Sequence, residues 1–152
     1  MIRYRIRELR RVPVGLLRPH PHNWRTHSQS QCAALRSVLH EIGYASALLA
    51  YELPDGTLQL IDGHLRADAE PDSVAPVLVL DVSADEAQKI LLTHDPLAEM
   101  AGVDAEQLAR ALCEVALRSP AMREMLAVKA LRGVCADVAL ASTVAAEPVI
   151  AE

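Results

Sequence analysis

Leu60-Ile61-Asp62-Gly63-His64-Leu65-Arg66-Ala67 reads as a strand that runs into a glycine turn and opens a helix carrying a histidine and an arginine. Glycine takes backbone angles that other residues avoid and lets a ligand approach the main chain. The first N–H groups of a helix point toward an anion, and an arginine in the first turn offers a planar fork for phosphate. A lone Gly-x-x-Arg turn is as readily a plain turn with a solvated arginine, so its neighbours in the chain decide between the two.

Upstream, Ser28 precedes a stretch from Gln29 to Ile42 in which Cys32, Leu35, Val38, Leu39 and Ile42 recur at spacings of three and four. This predicts an amphipathic helix with a serine cap and a stop at Gly43. Ala47 to Leu53 and Thr57 to Ile61 flank Pro54-Asp55-Gly56 and form a hairpin: proline presets one turn angle and glycine permits a positive one. Beyond the Gly63 turn, a short helix ends near Glu70-Pro71, and a valine-rich strand follows from Pro76 to Val82. Ser83, with Asp85 and Glu86 in the next turn, starts another helix whose first-turn acids favour the helix dipole. Pro96 is expected to kink or break that helix, since an interior proline costs roughly 3 kcal/mol.

The order of these pieces is itself informative. Val12-Pro13-Val14 comes first, then Leu17-Arg18-Pro19-His20-Pro21-His22-Asn23-Trp24-Arg25, the helix closing at Gly43, the hairpin, the Gly63 turn and Ala75-Pro76-Val77-Leu78-Val79. In this succession the chain resembles the amino-terminal domain of the ParB/sulfiredoxin superfamily over residues 10 to 100, through order and spacing more than any single motif. The resemblance implies an α+β fold, a small mixed sheet with covering helices, followed by a carboxy-terminal helical subdomain. The expected division is a ParB/sulfiredoxin-like domain with a basic amino-terminal segment at 1–103, a helical extension at 104–132 and a flexible tail at 133–152.

The resemblance also implies a nucleotide or phosphate pocket at the Gly63 turn. Asn23 and Arg25 fall on the Asn-x-Arg positions of the loop that closes on the ligand; Arg66 and Arg25 would clamp phosphates and Asn23 would orient the ligand. His94 and Asp95 occupy the place of a Glu-Asn pair that closes the pocket, and Asp95 serves equally as a cap for a helix beyond Pro96. The ligand implied is a nucleoside triphosphate, CTP or ATP, with Mg2+. Trp24, the only tryptophan, is expected to pack rather than stack on a base.

Departures from the family pattern bear on activity. ParB proteins that hydrolyse CTP carry Gly-Glu-Arg-Arg at this turn and sulfiredoxins Gly-Cys-His-Arg, whereas here it reads Gly63-His64-Leu65-Arg66. Without that cysteine no nucleophilic sulfur stands at the site, so reduction of a sulfinic acid is excluded. Free-serine kinases of the superfamily carry Asp-Gly-x-His-Arg, and Asp62-Gly63 matches its first two positions. Asp62 or His64 is then a candidate catalytic base, although an aspartate before glycine is also a common turn former. Three readings follow: a stand-alone ParB-like domain binding a nucleotide or phosphate in DNA maintenance or a mobile-element context, a small-molecule kinase, and a degenerate scaffold for protein contacts.

The 152 residues, half of them apolar, suffice for one compact domain with a core. The net charge of −5 conceals an asymmetry, because residues 1–36 hold eight arginines against Glu8 alone. Such a segment can steer toward phosphates, including weak, non-specific contact with DNA. Alternation of Arg3, Arg5 and Arg7 with Tyr4 and Ile6 equally describes the charged face of an edge strand. Cys32, Cys113 and Cys135 are far apart, which suggests free thiols and no zinc cluster. His20, His22 and His27 match no closed ligand pattern, so no metal site is expected. No apolar run reaches the ~20 residues of a membrane span and the amino terminus lacks a signal-peptide core, so a cytoplasmic location is expected. Two amphipathic helices, Asp104 to Arg118 and Ser119 to Arg132, lack a dense basic face; they are expected to pack on the domain or on a second copy as a homodimer.

Overall fold

The structure, a computed structural model, describes residues 1 to 131. The expected tail lies outside the described residues. The chain divides into two compact units, with a boundary after Met100.

The first unit is built on a five-stranded mixed sheet, in the order β1-β5-β3-β4-β2. The strands are β1 (Ile6–Pro13), β2 (Leu17–Arg18), β3 (Leu48–Glu52), β4 (Leu58–Asp62) and β5 (Val74–Leu80). Pairing is antiparallel for β1 with β5 and for β3 with β4, and parallel for β3 with β5 and for β2 with β4. Helices α1 (Gln29–Glu41), α2 (His64–Ala69) and α3 (Ala84–Glu99) complete the unit. The fold is therefore α+β, as the sequence indicates.

The nearly unbroken apolar runs of β3, β4 and β5 have a plain cause: the sheet is covered on both faces. Leu48 and Ala50, Leu58 and Leu60, and Ala75, Val77 and Val79 point into one core, which α2 enters through Ala67. Their alternates Leu49 and Tyr51, Ile61, and Leu78 and Leu80 point into the other, which α3 closes with Ala87 and Leu91. A one-residue slip of β4 would exchange Leu60 for Gln59, so the two-sided pattern fixes register. Gln59 is buried on the second face and is tolerated because its Oε1 accepts the Tyr51 hydroxyl proton at 2.6 Å.

Local signals act as expected at most junctions. Ser28 Oγ accepts from the Gln31 N–H to cap α1, and Ser83 with Glu86 forms a reciprocal capping box at the head of α3. Gly56 turns the hairpin at φ +80°, with Asp55 Oδ1 accepting from the Thr57 N–H. Strand β1 lies at the sheet edge, as expected of a charged edge strand, but it begins at Ile6, so of the alternating Arg3, Arg5 and Arg7 only Arg7 belongs to it.

Two expectations need correction. Pro96 does not break α3, which continues to Glu99. The proline cannot supply the N–H that would meet the Leu92 carbonyl, so the ladder loses that bond, but helical geometry resumes beyond it and the Met100 N–H closes the end onto the Pro96 carbonyl at 3.1 Å. Asp95 therefore lies inside α3 and caps nothing. Trp24 is 52% exposed rather than packed, with the Arg25 guanidinium 4.8 Å over its ring.

In the second unit, α4 (Ala105–Glu114) starts at Asp104, whose Oδ1 accepts from the Gln107 N–H at 2.9 Å. Residues 120 to 131 are helical, and Met122 is buried. None of the α4 residues is buried.

Candidate functional site

Strand β4 delivers Asp62 to the edge of the sheet, and Gly63 turns the chain at φ +101° into α2. A Cβ at this position would lie 2.6 Å from Leu48 Cγ. Gly63 is thus required by packing against β3 as well as by its backbone angle, and both requirements exist without any ligand. Helix α2 has only six residues. Its dipole is correspondingly small, so an anion here must be held chiefly by side chains.

Those side chains are gathered from four elements. Asn23 and Arg25 come from the loop after β2, Asp62 and Gly63 from the end of β4, His64 and Arg66 from α2, and Asp95 from α3. All seven residues proposed from the sequence line one cleft of about 300 Å3, the lower end of the size range of small-ligand sites.

In the ligand-free arrangement the arginines are paired. Arg66 Nη2 donates to Asp62 Oδ2 at 2.6 Å and Nη1 donates to the Ser46 hydroxyl. Arg25 Nε lies 2.8 Å from Asp95 Oδ2, and its Nη2 donates to Glu99 at 3.2 Å. The Nε contact lacks hydrogen-bond direction, so this buried atom has no hydrogen-bond partner. Anion binding must compete with these carboxylates or recruit a cation to them.

The histidines have structural work. His64 is buried, and its Nε2 accepts the backbone N–H of His20 at 3.1 Å; His20 Nδ1 in turn accepts the N–H of His22 at 3.1 Å. These bonds fasten the Pro19–Arg25 loop to the head of α2, and each requires an unprotonated acceptor nitrogen. Burial lowers the pKa of His64 against the pull of Asp62, and lowers that of His20 with a further contribution from His22. In this arrangement His64 Nε2 is engaged and not free to take a substrate proton.

Three features escaped the sequence reading. Ser46 and Glu99 share the cleft arginines, and nothing in their surroundings marks them. Asp62, His94 and Asp95 each bring a possible metal-ligating atom, all within 4.8 Å of one another. His94 and Asp95 are adjacent but Asp62 is distant in sequence, so the spacing of ligands could not reveal the set. Among the described residues the histidines of the 20–27 loop form no such group.

The amino-terminal arginines are also largely partnered. Arg3 and Arg5 meet Glu86, Arg7 meets Glu52 and Glu8, Arg10 meets Glu8, and Arg18 meets Asp55. The basic character of the segment is offset by acids from elsewhere in the same unit. No helix among the described residues is long and apolar enough to cross a membrane.

The sequence matches no family model and no curated protein. Among solved structures, it is similar to the C-terminally truncated chromosome-partitioning protein ParB from Caulobacter crescentus in complex with CTP-gamma-S. The identity is 21% and the TM-score 0.58, over 70% of this chain and 60% of that one. The same protein complexed to the centromeric parS site matches at 20% identity and TM-score 0.48, over 68% and 53% of the two chains. Sulfiredoxin from Arabidopsis thaliana matches at 18% identity and TM-score 0.46, over 56% of this chain and 97% of that one. This chain thus spans less than two thirds of the ParB chain it matches best in this set, and the likeness is one of fold. The sheet order, the covering helices and the ParB structure superposed on them give the chain a ParB/sulfiredoxin-like fold.

Proposed function

We propose that this chain is a cytoplasmic ParB-like domain that binds a nucleotide through its phosphates in the cleft beside Gly63. The observation that carries this reading is the convergence of Arg25 and Arg66 on one cleft, each restrained by a carboxylate. Phosphate oxygens accept from guanidinium groups more strongly than neutral acceptors do. Asn23, whose Oδ1 already accepts the Arg25 N–H at 3.3 Å, keeps its amide N–H2 for the ligand. The ParB structure of similar fold holds CTP-gamma-S, which favours a nucleoside triphosphate such as CTP or ATP. DNA maintenance is the context that this likeness suggests.

Mg2+ belongs to the same reading, because a triphosphate carries it. The carboxylates of Asp62 and Asp95 are hard oxygen donors suited to the ion. A second reading, phosphoryl transfer to a small molecule, is favoured by Asp62, a carboxylate in the lining of the cleft: its Oδ2 is held by Arg66, while Oδ1 makes no hydrogen bond among the described residues and is available as a base.

A thermal-shift screen with nucleoside di- and triphosphates, with and without Mg2+, tests the proposal. Ligand that binds the folded state raises the melting temperature, by an amount that grows with concentration over Kd. A shift with triphosphate and Mg2+ supports the reading; no shift with any nucleotide at millimolar concentration refutes it. Asp62→Asn then separates the two readings, since it abolishes turnover in a kinase and spares nucleotide binding.

A further inference from the structure

Asp62, at the end of β4, and His94 with Asp95, near the end of α3, come together beside the cleft that Asp62 and Asp95 line. Their ligand atoms, one from each, lie within 4.8 Å of one another. A divalent ion bonded at roughly 2.0–2.2 Å to imidazole nitrogen and carboxylate oxygen holds its donors roughly 3–4 Å apart. Small side-chain adjustments therefore close the set around an ion.

The charge around the cluster favours a cation. Three carboxylates, Asp62, Asp95 and Glu99, stand against two guanidiniums, Arg25 and Arg66. Arg66 donates to Oδ2 of Asp62 and the Arg25 guanidinium lies against Oδ2 of Asp95, which leaves each Oδ1 without a hydrogen bond among the described residues. Outer partners of this kind orient carboxylates that bind metals. The Arg25 contact is also a weak competitor, because its Nε lacks hydrogen-bond geometry toward Asp95. His94 is exposed, so an ion reaches the site directly from solvent.

We infer that Asp62, His94 and Asp95 form a divalent-metal site that takes its ion from protein groups alone, without nucleotide, and prefers a transition ion such as Mn2+ to Mg2+. The preference follows from the imidazole: Mg2+ selects oxygen ligands, whereas nitrogen donors suit first-row transition ions. Three protein ligands leave coordination positions open to water or to an oxygen of a further ligand. The inference does not depend on the nucleotide reading.

The test is titration of Mn2+ into the full chain without nucleotide, with free Mn2+ counted by electron paramagnetic resonance and the site located by broadening of backbone amide signals in nuclear magnetic resonance. The expected result is one saturable ion per chain, with broadening centred on residues 62 and 94–95. His94→Ala, at an exposed position, should keep the fold and weaken binding roughly tenfold or more. His27→Ala should leave it unchanged, and Mg2+ should displace Mn2+ only in roughly tenfold or greater excess. Asp62→Asn serves as a second variant should His94→Ala lose its fold by circular dichroism. Absent saturation, unchanged binding in the variant, broadening centred on residues 20–27, or equal competition by Mg2+ would each overturn the inference. A nucleotide thermal shift that persists when Mn2+ binding fails leaves the proposed function standing, and the reverse pattern leaves the metal site standing.

Discussion

On β1, Arg7 meets its carboxylate at the surface, whereas in the Gly63 cleft Arg66 meets its own largely out of water. The Arg7 and Glu52 side chains are 44% and 35% exposed, and those of Arg66 and Asp62 are 18% and 23% exposed. The chemistry of the two pairs is the same. Water screens the first and holds its charges cheaply, so breaking it changes little. The second has given up part of its hydration, so removing one partner strands the other. A ligand able to replace Asp62 at Arg66 is thus offered a charge that already needs a partner, while phosphate near β1 competes with both water and acid.

The most severe way to disturb the cleft is Gly63→Val. The substitution forces a β-branched residue to a positive φ and sets its Cβ against Leu48, a core side chain that is fully buried. Strain of this kind costs about 1–3 kcal/mol, and overpacking adds about 1–3 kcal/mol. Urea denaturation should show a loss of several kcal/mol or no folded protein. A near-native midpoint would mean that the Gly63 turn is not as tightly packed as described.

Matched alanine substitutions sharpen the contrast between the two arginine sets. Arg66→Ala leaves the Asp62 carboxylate without its guanidinium and should cost about 1–3 kcal/mol. Arg7→Ala should cost less than about 0.5 kcal/mol. Equal losses in the two variants would remove burial as the distinction.

A smaller effect is expected in acid. The backbone N–H of Ser83 donates to Glu86 at 2.9 Å and Arg5 donates to it at 2.6 Å; with the Ser83 bond as the largest cause, these hold its pKa at about 2. A carboxyl depressed by folding stabilises above its unfolded value, and that contribution is lost as pH falls through the folded value. Stability should therefore decline from the ordinary range near 4.5 down to about 2, and Glu86→Gln should flatten this part of the profile. A variant whose acid unfolding curve matches the wild type would contradict the assignment.

The weakest effect expected is on nucleic acid. Since Arg5, Arg7 and Arg10 of the amino-terminal segment are already engaged by Glu86, Glu52 and Glu8, duplex DNA should bind weakly and without sequence preference. Its affinity should collapse between about 50 and 200 mM salt. Tight, salt-insensitive binding to one sequence would show instead that this edge reads bases.

Much of the scaffold was legible because local signals and burial agreed. Ser28 and Gly43 bracket α1, Pro54-Asp55-Gly56 makes the hairpin, and in β5 Val77 and Val79 on one core alternate with Leu78 and Leu80 on the other. Strand β2 was not legible: two residues carry no periodicity, and its pairing with β4 is set by tertiary contact. Pro96 misled because the missing N–H and the ring act on one bond of the preceding turn, and the surrounding helix carries on past that single loss. The cleft was legible as a set of positions, and Asp62 and Arg66 stand at the spacing of an ion pair on a helix. What could not be read was the state of those residues. Arg25 finds Asp95 and Glu99 about seventy positions away, and the role of His64 as an acceptor for the His20 N–H depends on a loop meeting a helix.

The central claim is that the cleft arginines, and not those of the sheet edge, hold a phosphate ligand. Calorimetric titration of CTP and of ATP with Mg2+ into the wild type, Arg66→Ala and Arg7→Ala tests it most directly. The account predicts saturable binding of at least one nucleotide, preserved in Arg7→Ala and weakened roughly ten- to hundredfold in Arg66→Ala, as loss of a charge-assisted hydrogen bond requires. Equal affinity in wild type and Arg66→Ala, or an equal loss in both variants, would contradict it.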